Sequence, residues 1–434
     1  MTNRDVKILT LQEYGDFITL EMASMILGVS TTQFWRLLTK SLAIITPKKG
    51  ESHIERSGLE SFRFVGIAGI LALKRNVRIE IIPKFLNKDS KTWRDDFLTI
   101  SLISNYGHLL PDIPIPSAPK RGLDLYELIA DTWINLFESN NRLLIRTYVT
   151  SEWSSFLLDG EAEEENLIIS SDSGFLQKGL RLSSANSENK ILTSAAKLLL
   201  GRISNPIRIR RLEKAFNMLS YAVREQGTNS PRTAGLKRKS PWSGLLELSK
   251  IILDYNTVGL SDTGRAYLPG YILRTNYAWE TLVFKGTRKA FSHLDVSKRR
   301  YQIGAKVDKE GNAGVFKVVP DVSIRENEKV KLIVDAKYKR AEFNVGRKSI
   351  VSKSDVYEGL AFMLASKCDT LILLYPQDDL VSELQMEPFE VYTIDQHSIY
   401  GHSIGVNGIS KKGGFKEFSL RIETVLAQYL IPKF

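Results

Sequence analysis

The chain has 434 residues, with 60 Lys and Arg against 49 Asp and Glu, a formal net charge of +11. With 43% hydrophobic and 25% charged residues, the composition excludes a disordered or fibrous chain and supplies apolar side chains for more than one core. The single cysteine, Cys368, excludes an internal disulfide framework and a cysteine-based zinc site.

The opening MTNRDVKILTLQEYGDF holds no apolar signal region, and no apolar run nears the roughly 18 residues of a membrane span, so the expected location is cytoplasmic. Ala23 to Thr32 has the pattern of two helices joined by a Gly28 turn with a Ser/Thr cap; read as a helix-turn-helix it would address the major groove, and read plainly it is a common Gly-x-Ser turn. Phe62–Ile67 and Val77–Ile82 alternate as half-buried strands, and Pro83 ends the second. A helix is expected from Trp93 to Asn105. Four prolines between Leu110 and Pro119 then exclude a regular element and set a boundary.

Beyond it, Leu123–Phe137, Asn189–Ile203, Arg211–Val223 and Leu245–Leu253 carry apolar residues at helical spacing, with a basic polar loop from Gly227 to Pro241. The last segment begins with a helix over Tyr277–Phe291. Strands follow at Val315–Val319, Lys331–Lys337, Thr370–Tyr375 and Phe389–Ile394, with helices near Ser354–Ala365 and Leu420–Leu430. The division expected is a mixed N-terminal domain over 1–110, a Pro-rich linker over 111–121, a mostly helical middle domain over 122–264, and a C-terminal domain over 265–434. The fold class is α/β, with a mixed C-terminal sheet flanked by helices.

Charge is concentrated in the last domain. Between Lys285 and Lys353 there are 18 Lys and Arg against 8 Asp and Glu, whereas the rest of the chain is nearly balanced. Such a window attracts polyanions, nucleic acid first among them. Lys298, Arg299, Arg300, Lys339, Arg340, Arg347 and Lys348 are its candidate phosphate contacts, or else solvated loop charges.

Inside that window, Pro320-Asp321 is followed by an apolar strand ending Asp335-Ala336-Lys337. Residues two apart on a strand share a face, so Asp335 and Lys337 project together, and the preceding strand, paired as a hairpin, brings Asp321 beside them. Two carboxylates and the Ala336 backbone carbonyl offer hard oxygen ligands to Mg²⁺ (or Mn²⁺), and a helix carrying Glu280 adds a third carboxylate. Lys337 would orient or help deprotonate an attacking water. The plain alternative is a surface hairpin with an Asp–Lys pair. The five histidines are scattered and complete no zinc site, and Cys368 reads as a small buried hydrophobe.

These residues resemble the PD-(D/E)xK nuclease core as it occurs in the McrC family, the endonuclease subunits of McrBC and LlaJI-like modification-dependent restriction systems. Leu11–Gly15, Ile79–Lys84, Glu188–Leu192 and Asn276–Glu280 are similar to further family segments, in order along the chain. Where the family usually shows Tyr-Gln on the helix after the lysine strand, this chain has Tyr357-Glu358. The resemblance implies Mg²⁺-dependent hydrolysis of DNA by Asp321, Asp335, Lys337 and Glu280, in complex with a hexameric McrB-like AAA+ GTPase that the subunit stimulates through its N-terminal and middle parts. The chain itself has no P-loop sequence. A non-cleaving activator of the motor and a self-sufficient restriction enzyme are the alternatives, and whether complexes dimerise to cut both strands stays open.

Overall fold

The structure, a computed structural model, describes residues 6–45, 52–74, 77–86, 92–106, 125–140, 144–158, 160–161, 174–224, 241–257, 270–307, 309–311, 313–338, 351–377 and 386–430. The expected linker, the 227–240 stretch, the 264 boundary, and Lys339, Arg340, Arg347 and Lys348 lie outside the described residues. The chain divides into two compact units, one over Gly122–Thr257, the other joining Thr2–Arg121 to Val258–Phe434.

The larger unit begins with strand β1 (Lys7–Gln12) and a short β2 (Ile18–Thr19), then helices α1 (Leu20–Leu27) and α2 (Thr31–Ile45). Strands β3 (Ile54–Ser57) and β4 (Ser61–Phe64) pair with β2 in the order β2-β4-β3. Gly66, at φ +70, turns the chain out of β4 into β5 (Ile67–Lys74), so the Phe62–Ile67 run is split between two sheets. β6 (Val77–Ile82) pairs with β5 antiparallel and with β1 parallel, and helix α3 (Trp93–Tyr106) follows. Leu9, Ile67, Leu71, Ile79 and Ile81 of this sheet share one apolar core with Leu27, Phe34, Leu38 and Phe62.

The smaller unit contains helices α4 (Leu125–Asn140), α5 (Ser187–Leu200), α6 (Pro206–Arg224) and α7 (Ser243–Thr257). It also holds an antiparallel hairpin, β7 (Thr147–Ser155) with β8 (Phe175–Ser183), that the helical reading of this region did not anticipate. Exposed Tyr148, Leu180 and Leu182 weaken the inside–outside alternation that marks a strand in sequence. Trp133 stacks on Phe137 and donates from its indole to Ser249 Oγ at 2.8 Å. Asn189 is fully buried and donates to the carbonyls of Ile145 and Ser184, an architectural role for the Glu188–Leu192 segment.

The chain re-enters the larger unit through β9 (Gly270–Arg274), which pairs with β5. Helix α8 (Thr275–Ala290) leads into β10 (Asp295–Ser297), β11 (Tyr301–Val307), β12 (Ala313–Val318), β13 (Val322–Glu326) and β14 (Lys329–Ala336). Helix α9 (Lys353–Ser366), β15 (Thr370–Pro376), β16 (Glu390–Ile394), β17 (His397–Ile404) and helix α10 (Gly414–Leu430) complete it. The principal sheet has the order β10-β13-β14-β15-β17-β16 and mixes antiparallel outer pairs with parallel central ones.

The expected hairpin is corrected by the sheet. The apolar strand before Pro320 is not the partner of the lysine strand: β12 pairs with β11 in a separate ribbon. The partner is the next strand, β13, joined to β14 by a turn in which Asn327 and Glu328 take positive φ. β12 is exposed along its length and β13 is buried, and burial decides which strand enters the sheet. On β14 the odd residue Ile333 packs with Leu371, Leu373, Val356, Phe362 and Met363 under α9. Leu332 and Val334 turn to the opposite face, where α8 and α10 pack against one another.

Candidate active site

Asp321 stands one residue before β13. Val322 is opposite Val334, and carrying that register one step further sets Asp321 against Asp335 at the end of β14. Asp321 Oδ2 accepts from the Ala336 amide at 3.0 Å, while its other oxygen lies 3.6 Å from Lys298 Nζ. Lys298, taken in sequence as a phosphate contact, is therefore a neighbour of the site. The Lys337 amide donates to the Leu374 carbonyl at 3.0 Å, which anchors the strand end beyond the last ladder pair.

Lys337 Nζ is 2.6 Å from Asp335 Oδ2, as side chains two apart on a strand allow, and 2.6 Å from Glu358 Oε2 on α9. It is also 3.7 Å from Asp355 Oδ1. Asp355 was not anticipated, although Ser352-x-x-Asp355 is a helix-start signature: Ser352 Oγ accepts from the Asp355 amide, donates to its carboxylate at 2.7 Å, and holds that carboxylate at the first turn. Glu358 thus belongs to the site and Tyr357, 66% exposed, does not join it. Arg299 pairs instead with Asp295 at 3.2 Å, and Arg300 is exposed.

Burial pushes the Asp335 carboxyl up to about 7; Lys337 opposes the shift, and Asp321 and Glu358 add to it. Burial also works against the Lys337 ammonium, but Asp335 and Glu358 together hold it above the ordinary lysine range. The pair is unequal because Lys337 has two carboxylates at contact, whereas Asp335 shares its one contacting cation. Glu280, half-buried on α8, is raised by burial and by Asp321, with Lys298 and Lys337 opposing. Five carboxyl groups, Glu280, Asp321, Asp335, Asp355 and Glu358, therefore gather around the two ammonium groups of Lys298 and Lys337.

Carboxylate oxygens in excess over cations suit a hard divalent ion. Among the described residues no three His, Cys, Asp or Glu side chains are grouped closely enough to hold one ion. Two side chains, Asp321 and Asp335, and the Ala336 carbonyl could hold such an ion, sparse protein ligation of the kind that Mg²⁺ tolerates because it keeps several waters.

A second cluster, unforeseen in sequence, lies directly after Lys337. Tyr338 donates from its hydroxyl to Glu13 Oε2 at 2.5 Å, and Thr275 donates to Glu13 Oε1 at 2.6 Å. The Lys84 amide also donates to Glu13, and its ammonium lies 4.1 Å from the Tyr338 ring centroid. Burial raises the Glu13 carboxyl to about 7 against these donors. The segments Leu11–Gly15 and Ile79–Lys84, noted for their family likeness, thus meet the chain one residue past the lysine.

Fold and site together define a mixed α/β protein with a carboxylate–lysine cluster at the open end of a central strand pair. The McrBC 5-methylcytosine restriction system component family matches residues 62–376, and the chain belongs to that family. It is similar, at 13% identity and a TM-score of 0.67, to a chain from a half-complex of a tetradecameric assembly of Thermococcus gammatolerans McrB AAA+ hexamers with bound McrC; the match covers 97% of this chain and 99% of that one. A chain of a Thermococcus gammatolerans McrBC complex matches over 65% of this chain and 88% of its own length, at 16% identity and a TM-score of 0.46. A comparison with curated proteins finds no match. Among the described residues no helix is long and apolar enough to cross a membrane.

Proposed function

We propose that this chain is the DNA-cleaving subunit of a McrBC-type restriction system, hydrolysing phosphodiester bonds with Mg²⁺ or Mn²⁺ in complex with a McrB-like AAA+ GTPase hexamer. The observation that carries the proposal is the gathering of Asp321, Asp335 and Lys337 at one strand end, with Glu280 and Glu358 at its margin. A scaffold gains nothing from like charges held together at a half-buried edge. A divalent ion held by Asp321, Asp335 and the Ala336 carbonyl would acidify a water and offset charge developing on the phosphate. Lys337, kept protonated by its two carboxylates, suits orienting the water and stabilising negative charge better than accepting a proton. The Ala336 carbonyl shares its peptide plane with the Lys337 amide, so the bond from that amide to the Leu374 carbonyl fixes its direction, while Asp321 holds the preceding peptide through the Ala336 amide. The basic window around the site supplies attraction for the DNA backbone.

The family membership supports a McrBC-type component, and the McrB hexamers of the similar assembly support an AAA+ partner. The test is cleavage of modified and unmodified plasmid by the chain alone and with its motor plus nucleotide, in Mg²⁺ and in EDTA. Cutting that requires the motor and Mg²⁺ and disappears in Asp335→Ala and Lys337→Ala is the expected result. Stimulation of the motor's GTP hydrolysis with no cutting under any condition would replace the proposal with the activator reading.

A further inference from the structure

We infer that α2, with the β3–β4 hairpin beside it, is a second DNA-binding site that docks in the major groove of duplex DNA, apart from the cleavage site. The fold of residues 18–64 carries this. Thr19 caps α1, and Gly28, at φ 62, ends it in the left-handed conformation, with the Val29 amide returning to the Ser24 carbonyl. Ser30 Oγ then accepts from the Gln33 amide, so a turn of three residues separates the helices. Ser24 Oγ and Thr31 Oγ1, 3.2 Å apart, tie the two helices across the turn. Phe34 and Leu38 of α2 are fully buried against Leu27, Phe62 and Phe64. This is a helix-turn-helix with a β-hairpin wing, packed on an apolar core that it shares with β1, β5 and β6.

What α2 leaves outside decides the partner. Thr31, Thr32, Gln33, Arg36, Thr39 and Lys40 are exposed, and α2 contains no acidic residue. Its first turns therefore present hydroxyls, an amide, a guanidinium and an ammonium, and nothing that repels phosphate. Gln and Arg are the side chains that pair bidentately with adenine and guanine edges in the major groove. The hairpin adds a cation at the same place: the Arg56 guanidinium lies 4.1 Å from the centre of the Trp35 ring of α2. α1 differs, exposing Met22, Met25 and Ile26, so an apolar protein partner would choose α1 and not α2.

DNA binding by α2 requires no cleavage and is tested without it. Binding of the full-length chain to a short fluorescent duplex is followed by anisotropy in EDTA, without motor, across a salt series. Arg36→Ala with Lys40→Ala should weaken binding about tenfold or more and flatten the dependence of log affinity on log salt by about 0.9 for each phosphate that is no longer neutralised. Thr32→Arg, at an exposed position, should tighten binding and steepen that dependence, a gain that misfolding cannot imitate. Met25→Glu should bind as the unaltered chain does. Duplex affinity and salt dependence unchanged in both α2 variants would overturn the inference. So would loss of motor stimulation in the α2 variants with DNA binding intact, which would make α2 a protein-docking face.

Discussion

Replacing Asp335 by asparagine separates stability from function in a way that depends on the chemistry of the site. The Asp335 carboxyl is 5% exposed, and burial pushes it from its ordinary 3.8 up to about 7. At about 1.4 kcal/mol per unit, holding it ionised above that pH costs the metal-free fold about 4 kcal/mol. The sign follows from linkage: the folded state binds its proton more tightly, so this contribution is favourable at low pH and is lost as pH rises through 7. Asparagine removes the charge and nearly preserves the shape. Lys337 then loses one partner but keeps Glu358 at 2.6 Å, which returns part of the gain. In EDTA at pH 8, Asp335→Asn should therefore be more stable than the unaltered chain by about 1–3 kcal/mol in denaturant unfolding, with the advantage shrinking as pH falls below 7. Millimolar Mg²⁺ should raise the unfolding midpoint of the unaltered chain and leave the variant unmoved, because only the former retains the ligand. Cleavage should be absent in the variant. A variant less stable than the unaltered chain at pH 8 would show that Asp335 and Lys337 form a net stabilising ion pair, and an equal Mg²⁺ response in both would place the ion elsewhere.

Two further outcomes follow from the packing around the site. A Cβ on Gly286 of α8 would stand 2.5 Å from Ile422 Cδ1 and 2.8 Å from Phe418 Cε1, so Gly286→Ala should destabilise by about 1 kcal/mol, the overpacking cost exceeding the helix-propensity gain of about 1 kcal/mol; a raised melting temperature would refute this. His402, fully buried with Nε2 2.7 Å from the Tyr429 hydroxyl oxygen, is lowered by burial to about 4, so it stabilises the fold above its ordinary value of 6.5 and that contribution is lost as pH falls toward 4. The stability difference between the unaltered chain and His402→Gln should accordingly shrink by up to about 3 kcal/mol from pH 7 to pH 4, and a difference independent of pH would show that His402 protonates in the fold at its ordinary value.

Elements with local signals were legible in the amino-acid order. Period-two alternation and the Asp335-x-Lys337 spacing set two charges on one strand face, helical spacing marked α4 to α10, and the Gly28 and Ser30 signals marked the turn between α1 and α2. The composition of Pro320-Asp321 and the neighbouring basic window pointed to the same chemistry. Which strand pairs with β14 was settled by packing, because β12 and β13 are both strand-forming and only the burial of Val322 and Ile324 selects the second. Packing also brought Asp355 and Glu358 onto Lys337, since the seating of α9 over β14 and β15 has no local signature. Tyr338 and Glu13 lie 325 positions apart and meet at 2.5 Å. β9 likewise follows the smaller unit in sequence yet completes the sheet of β5. Such contacts are chosen by which apolar faces can be buried together, a property of the whole chain that no window of sequence contains.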